Sequence, residues 1–318
     1  MPQKERLLFL GIDCLDLGLV LRWHMREYIV GYYGYHFVGY DLYTPIIWAK
    51  MLTGIDVTKP PYRFNSKTVS RKKRLATLYY VKDVADKLLH TLFSLNTANS
   101  TNNNEAYLRR ALLKAIQGRE LSTHEKLFVK MLRRASMLER LPGKLRKLTL
   151  PYQASARGYK VYVVEFPPLN DEIYSFIRNL LYFFINSAPD QKKYFLDYIW
   201  GVTTKTAEKV REAIGSYDVI LWYTPYVDTA SHMYYRPGNL RYMLLLRQAY
   251  ARTARIVAKL ANEALENNYK IIIASDHGFN PKVADHSHYG FWSTSFKPEI
   301  VPRRVEEIHR LARKAIGL

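Results

Sequence analysis

The run Ile271-Ile272-Ile273-Ala274 constrains the fold of this chain more than any other stretch. It is apolar throughout, carries three β-branched residues and leaves no polar position in alternation. Such a run suits a strand covered on both faces, as in the middle of a parallel sheet. It breaks at Ser275, and Asp276, His277 and Gly278 follow at once. In open α/β sheets the loops at the carboxyl ends of the strands build the ligand site. A carboxylate beside an imidazole at that place offers O and N donors to a divalent metal. Gly278 lets the loop turn back without a Cβ clash. His286 and His288 follow in the same region. Taken alone, S-D-H-G reads equally well as a polar loop whose imidazoles only cap or hydrogen-bond.

Other segments repeat the pattern of an apolar run ending in an acid. Leu7–Asp13 (LLFLGID) reads as a first strand with Asp13 at its tip. If it neighbours the Tyr269 strand in a parallel sheet, Asp13 sits beside Asp276; an Asp there also suits the N-cap of a following helix. Gly158–Phe166 (GYKVYVVEF) is a strand stopped by Pro167-Pro168. Tyr217–Asp228 (YDVILWYTPYVD) is another strand ending in an acid, with His232 four residues later. That spacing puts both side chains on one face if the segment turns helical, so both can meet one ion. In Gly39–Gly54, Thr44 and Pro45 read as N-cap and first helical residue, and Thr53-Gly54 closes the helix. A hydroxyl there lies in positive potential among free backbone N–H groups, which suits an alkoxide nucleophile and a phosphoryl group. A plain threonine cap fits the same pattern.

Helical patterns cover about 79–95, 105–118 and 122–138, with the polar linker Asn96–Asn104 between the first two. Others cover 170–214, 240–266 and 303–316. The aromatics of the first of these, Tyr174, Phe176, Tyr182, Phe183 and Phe184, read as core. The alternation of strands and helices predicts an α/β fold: a mostly parallel central sheet flanked by helices. One catalytic domain is expected over 1–318, with a basic, mostly helical insertion at 57–158.

Charge singles out that insertion. The chain carries a net +20, and residues 57–150 hold 21 Lys+Arg against 6 Asp+Glu. The cluster Arg71, Lys72, Lys73 and Arg74 is its densest part, and it suggests a polyanionic partner or substrate. A solvated Lys/Arg-rich surface of a heat-adapted (thermophile) protein would look the same. Cys14 is the one cysteine, which excludes an internal disulfide and a cysteine-built zinc site. No run approaches the ~18 apolar residues of a membrane helix, and a soluble, cytoplasmic protein is expected.

The order of these elements resembles the alkaline-phosphatase superfamily, and within it the type I phosphodiesterase/nucleotide pyrophosphatase group. The features carrying the resemblance are Asp13, T-P-x-x-W-A-x-x-L-T-G at 44–54, D-x-x-x-H at 228–232, S-D-H-G at 275–278 and a last histidine. They cover roughly residues 5–56 and 159–295. The resemblance implies two divalent metals, usually zinc, with manganese or magnesium as alternatives. Asp228, His232 and His286 would hold one; Asp13, Asp276 and His277 would hold the other, which also activates Thr44. His288 is the second choice for the last ligand. Thr44 would attack phosphorus in line, and water would hydrolyse the phosphothreonine formed. Ile47 departs from the asparagine that nucleotide pyrophosphatases carry three residues after the nucleophile, so the phosphate needs another contact, which Arg71–Arg74 could supply. Threonine at position 44 argues against sulfate esters, whose enzymes need Cys or Ser there. A phosphodiesterase acting on a nucleotide or another phosphorylated small molecule is therefore expected. The alternative is a nucleic-acid-binding protein that uses the basic insertion on an inactive phosphatase-like fold.

Overall fold

The computed structural model describes residues 4–67, 110–136, 140–280 and 285–318. Its strands are β1 (Arg6–Ile12), β2 (Tyr32–Phe37), β3 (Val161–Val164), β4 (Val219–Thr224), β5 (Tyr269–Ala274), β6 (Phe279–Asn280), β7 (Asp285–His286) and β8 (Tyr289–Thr294). Among the described residues, six of them form one sheet in the order β2-β8-β5-β1-β4-β3, and β6 pairs with β7 in a small ribbon. β5, β1, β4 and β3 are mutually parallel, and β8 joins β5 antiparallel. The expected mostly parallel, helix-flanked sheet is therefore present.

The apolar runs occupy the centre. β4 is buried at every position, β1 at all but Arg6 and β5 at all but Lys270. Each fully buried Leu, Ile or Phe contributes roughly 1.5–3 kcal/mol of transfer free energy. A one-residue slip of β1 would pull Arg6 into the sheet and displace Asp13 from its tip. The register sets Gly11 opposite both Ala274 and Tyr223, so β1, β4 and β5 end together at one edge. The long helix Leu240–Glu266 packs on β5 and β1, and Glu307–Ala315 packs on β1 and the helix Thr44–Thr53.

Two strands of the main sheet were not expected. β2 and β8 extend it on one side with aromatic sequences, YYGYHF, which buries only His36, and YGFWST, which is buried at all but Tyr289. β4 also stops at Thr224, four residues short of Asp228, because Pro225 caps the helix Tyr226–Tyr234 there.

The chain forms two compact units: Met1–Asn65, Arg140–Asp171 and Ile199–Leu318 in one, Ser66–Glu139 and Glu172–Tyr198 in the other. These bounds differ from the expected insertion at 57–158, since 57–65 and 140–158 belong with the sheet. In the second unit the helices Thr123–Ser136 and Glu172–Phe184 pack together, with Phe128 edge-on to Phe183, and Tyr174, Phe176 and Phe184 are buried as expected. The helix read at 79–95, the linker 96–104 and the cluster Arg71–Arg74 lie outside the described residues. No helix among the described residues is long and apolar enough to cross a membrane.

Candidate metal centre

Three strand ends deliver side chains to one place. Asp13 follows β1; its N–H bonds Thr224 O at 3.1 Å, and the Tyr223 hydroxyl donates to its Oδ2. Asp276 and His277 follow β5, and Ser275 ties their loop to the loop after β1. The Ser275 Oγ accepts from the Leu15 N–H at 2.8 Å and donates to the His277 carbonyl at 2.7 Å. A Cβ on Gly278 would lie 2.7 Å from Asp16 Oδ2 and 3.1 Å from Ser287 Oγ, so a larger residue there would have to push those side chains aside. The Cys14 N–H reaches Asp276 Oδ1 at 3.4 Å, which places Asp13 and Asp276 side by side as the parallel register requires.

Asp228 and His232 lie one turn apart on the helix Tyr226–Tyr234, with His232 Nε2 3.3 Å from Asp228 Oδ1. His286, on β7, brings its Nε2 to 2.9 Å from His232 Nε2 and 3.5 Å from Asp228 Oδ1. Its ring stacks on His277 with centroids 3.7 Å apart. The His277 Nε2 in turn lies 3.3 Å from Asp13 Oδ1 and 3.4 Å from Asp276 Oδ2. His286 Nδ1 donates to Leu42 O at 3.2 Å and His277 Nδ1 to Gly278 O at 3.1 Å. With Nδ1 so occupied, the neutral His277 ring turns a lone pair on Nε2 toward the centre, and the His286 ring does so once its Nε2 proton is displaced, the arrangement of a metal-binding imidazole.

The residues fit a cation. Asp228, His232 and His286 form one group of close donors, Asp13, Asp276 and His277 another, and Cys14, Asp228 and His277 a third. With metal–ligand bonds of about 2.0–2.1 Å, donors at the corners of a tetrahedron lie about 3.3 Å apart. The spacings of 3.3 and 3.4 Å in the buried triplet and 2.9, 3.3 and 3.5 Å in the other bracket that value. Asp13 Oδ1, Asp228 Oδ1, Asp276 Oδ2 and His277 Nε2 are buried without a hydrogen-bond partner. Four such atoms in one pocket would be costly for the fold unless an ion satisfied them.

Electrostatics says the same. Burial, then repulsion from Asp276 and Asp228, pushes the Asp13 carboxyl well above its ordinary range. Burial likewise raises Asp276 to about 6. Burial and the charge of His286 lower His277 to about 4, so its contacts with the two acids join a neutral imidazole to carboxyls and are not ion pairs. In the other triplet, burial opposes the charges but loses to them. His232 and His286 hold Asp228 well below the carboxylate range, and Asp228 lifts His286 to about 9.

Thr44 is buried at 5% exposure and is the first helical residue rather than the N-cap. Tyr43 occupies the cap position, and its carbonyl accepts the Ile46 and Ile47 N–H groups at 2.8 and 3.2 Å. The Thr44 hydroxyl therefore does not cap the helix. The free amides expected around it are largely spent, since Pro45 has none. The helix start is held to the centre through the His286 bond to Leu42, two residues before Thr44, and through Trp48, whose ring meets Tyr223 and Phe166. Ile47 is fully buried. His288 turns elsewhere: its Nδ1 donates to Gly39 O at 2.8 Å and its ring lies against Tyr40 and Phe37. Arg71, Lys72, Lys73 and Arg74 are outside the described residues.

Two participants escaped the sequence reading. Tyr223 is betrayed only by its register opposite Gly11. As a single cysteine, Cys14 carries no signal in the sequence, yet it is buried beside the donors with φ of 59°. A non-glycine residue pays roughly 1–2 kcal/mol for that left-handed conformation.

A family model described as type I phosphodiesterase / nucleotide pyrophosphatase matches residues 96–315. The match takes in Asp228, His232, Asp276, His277 and His286 and begins after Asp13 and Thr44. It also starts within 57–158, which the motifs had left outside the resemblance. No curated protein matches the chain.

Proposed function

The chain belongs to the type I phosphodiesterase/nucleotide pyrophosphatase family, which matches more than half of it, and on that premise we propose a metal-dependent hydrolase of phosphodiester or pyrophosphate bonds with Thr44 as nucleophile and two divalent cations, zinc first. Membership makes it a phosphoesterase of the alkaline-phosphatase superfamily, with a phosphorylated or nucleotide substrate. Asp228, His232 and His286 would hold one cation, and Asp13, Asp276 and His277, with the Thr44 hydroxyl, the other. Three imidazoles among the donors favour a borderline ion such as zinc over magnesium. When bound, such a pair lowers the pKa of a hydroxyl and offsets charge on the phosphoryl oxygens.

The observation that carries this reading is the set of buried, unpartnered donor atoms at the strand ends. The residues around them act as holders. Tyr223 fixes one oxygen of Asp13 and leaves the other turned to His277. The Leu42 and Gly278 carbonyls fix His286 and His277. Thr44, free of capping, keeps its hydroxyl for attack, and its burial keeps bulk water from competing.

Hydrolysis of a chromogenic phosphodiester by the zinc-loaded chain tests the proposal. Thr44→Ala is expected to lower turnover by about 10³-fold or more. Its melting temperature should not change, because Tyr43 and not Thr44 occupies the cap position, and its metal content should stay near normal, because Asp13, Asp276 and His277 remain. Substantial turnover by the variant would show that water, not Thr44, attacks phosphorus.

A further inference from the structure

Cys14 is the donor that the reading above leaves over. We propose that its thiolate is a further ligand of this centre, shared between the two donor triplets, and that it biases the site toward thiophilic cations such as zinc over magnesium or manganese. The proposal rests on the two-cation reading and deepens it.

Position comes first. The Cys14 Sγ, an oxygen of Asp228 and a ring nitrogen of His277 all lie within 4.8 Å of one another. Asp228 belongs to one triplet and His277 to the other, so the sulfur sits where the two meet. Both Asp228 Oδ1 and His277 Nε2 are buried and without a hydrogen-bond partner. Each of these two residues thus keeps a donor atom for a cation within reach of the thiol.

Conformation adds an independent argument. Cys14 holds φ of 59°, which glycine adopts freely and a residue with a Cβ does not. The strain is locked in from both sides: the Cys14 N–H bonds Asp276 Oδ1 at 3.4 Å, and its carbonyl accepts from the Tyr250 hydroxyl at 3.1 Å. Tyr250 also accepts the Asp16 N–H at 3.3 Å. Backbone strain over-determined in this way gathers at working sites. A buried cysteine is often a small apolar filler, but this one sits within 4.8 Å of a carboxylate oxygen and an imidazole nitrogen. Soft thiolate donors select zinc-like ions, whereas all-oxygen sites suit magnesium and manganese. On binding, the thiol proton passes to solvent as the cation enters.

Cobalt(II) is the probe. The full chain, stripped of metal, should develop a thiolate-to-cobalt charge-transfer band as cobalt is added. Cys14→Gly, which suits the backbone, should stay folded by circular dichroism and lack the band. Zinc should bind the variant about tenfold or more weakly, with magnesium affinity much less changed. Cobalt binding without a thiolate band in the natural chain, or an unchanged zinc-over-magnesium preference in Cys14→Gly, would overturn the proposal and leave the two-cation centre standing. Failure of any divalent ion to bind would overturn both.

Discussion

The two donor triplets use the same residue types and solve opposite electrostatic problems. Asp13, Asp276 and His277 are sealed from solvent, and burial raises both acids while lowering the imidazole. No group within that triplet supplies positive charge; the neighbouring charge of His286 acts on it from outside, lowering His277 and opposing the rise of Asp276. Asp228, His232 and His286 lie nearer the surface, and an ionised Asp228 faces a His286 that holds a proton to about 9. An imidazolium proton balances charge at the second triplet, whereas the first approaches neutrality only by protonating its own carboxyls. The lesson is that donor type and burial alone do not fix what an ion must offset: two imidazoles hold one buried carboxyl charged, whereas one imidazole leaves two carboxyls to the effect of burial.

Removing one donor from each triplet gives the largest contrast. Asp276→Asn and His232→Ala should each weaken metal binding by more than about 100-fold and nearly abolish phosphodiester hydrolysis. Without metal their stabilities should move in opposite directions. Asp276→Asn removes a buried carboxyl whose pKa is already raised to about 6, and should stabilise the metal-free chain at pH 7 by about 1–3 kcal/mol. His232→Ala strips a partner from buried Asp228 and should cost a similar amount. Urea denaturation of the chelated proteins measures both. Equal signs would erase the distinction between the triplets.

Acidity should separate them next. His286 is raised in the folded chain, so the stability it contributes is present below about 6.5 and is lost as pH rises through about 9. The chelated protein should therefore weaken by roughly 2–3 kcal/mol over that window, and His286→Gln should flatten the slope. In the buried triplet, Asp276 gains protons on folding and His277 sheds them, over nearly the same range of about 4 to 6.5. Those two contributions oppose each other, and the raised Asp13, which also gains protons on folding, tips that window toward lost stability as pH rises. The smallest effect is expected at His288, which bonds Gly39 and not the donors. His288→Ala should leave metal content unchanged, and a loss of bound metal would return it to the ligand set.

Much of this was legible in the sequence because the centre hangs on buried parallel strands, whose runs are apolar throughout. Ile271–Ala274 and Leu7–Ile12 announce themselves, and their shared register forces Asp13 and Asp276 together. The Asp228–His232 spacing needed only a helix to become a pair. β2 and β8 were not legible. β2 buries a single residue, His36, of its six, and β8 is built on aromatics that follow a histidine-rich loop without a break. The cap at Thr44 was misread because propensity favours threonine over tyrosine there, while the fold lets the Tyr43 carbonyl take the amides. Cys14 stayed hidden because its significance lies in a backbone angle that composition does not report.

Metal content per chain, measured on purified full-length protein, tests the central claim most directly. About two equivalents are expected in the natural sequence, falling to about one in His232→Ala and in Asp276→Asn as each variant empties its own triplet. A natural chain without bound divalent metal, or two variants that both keep the full complement, would contradict the account.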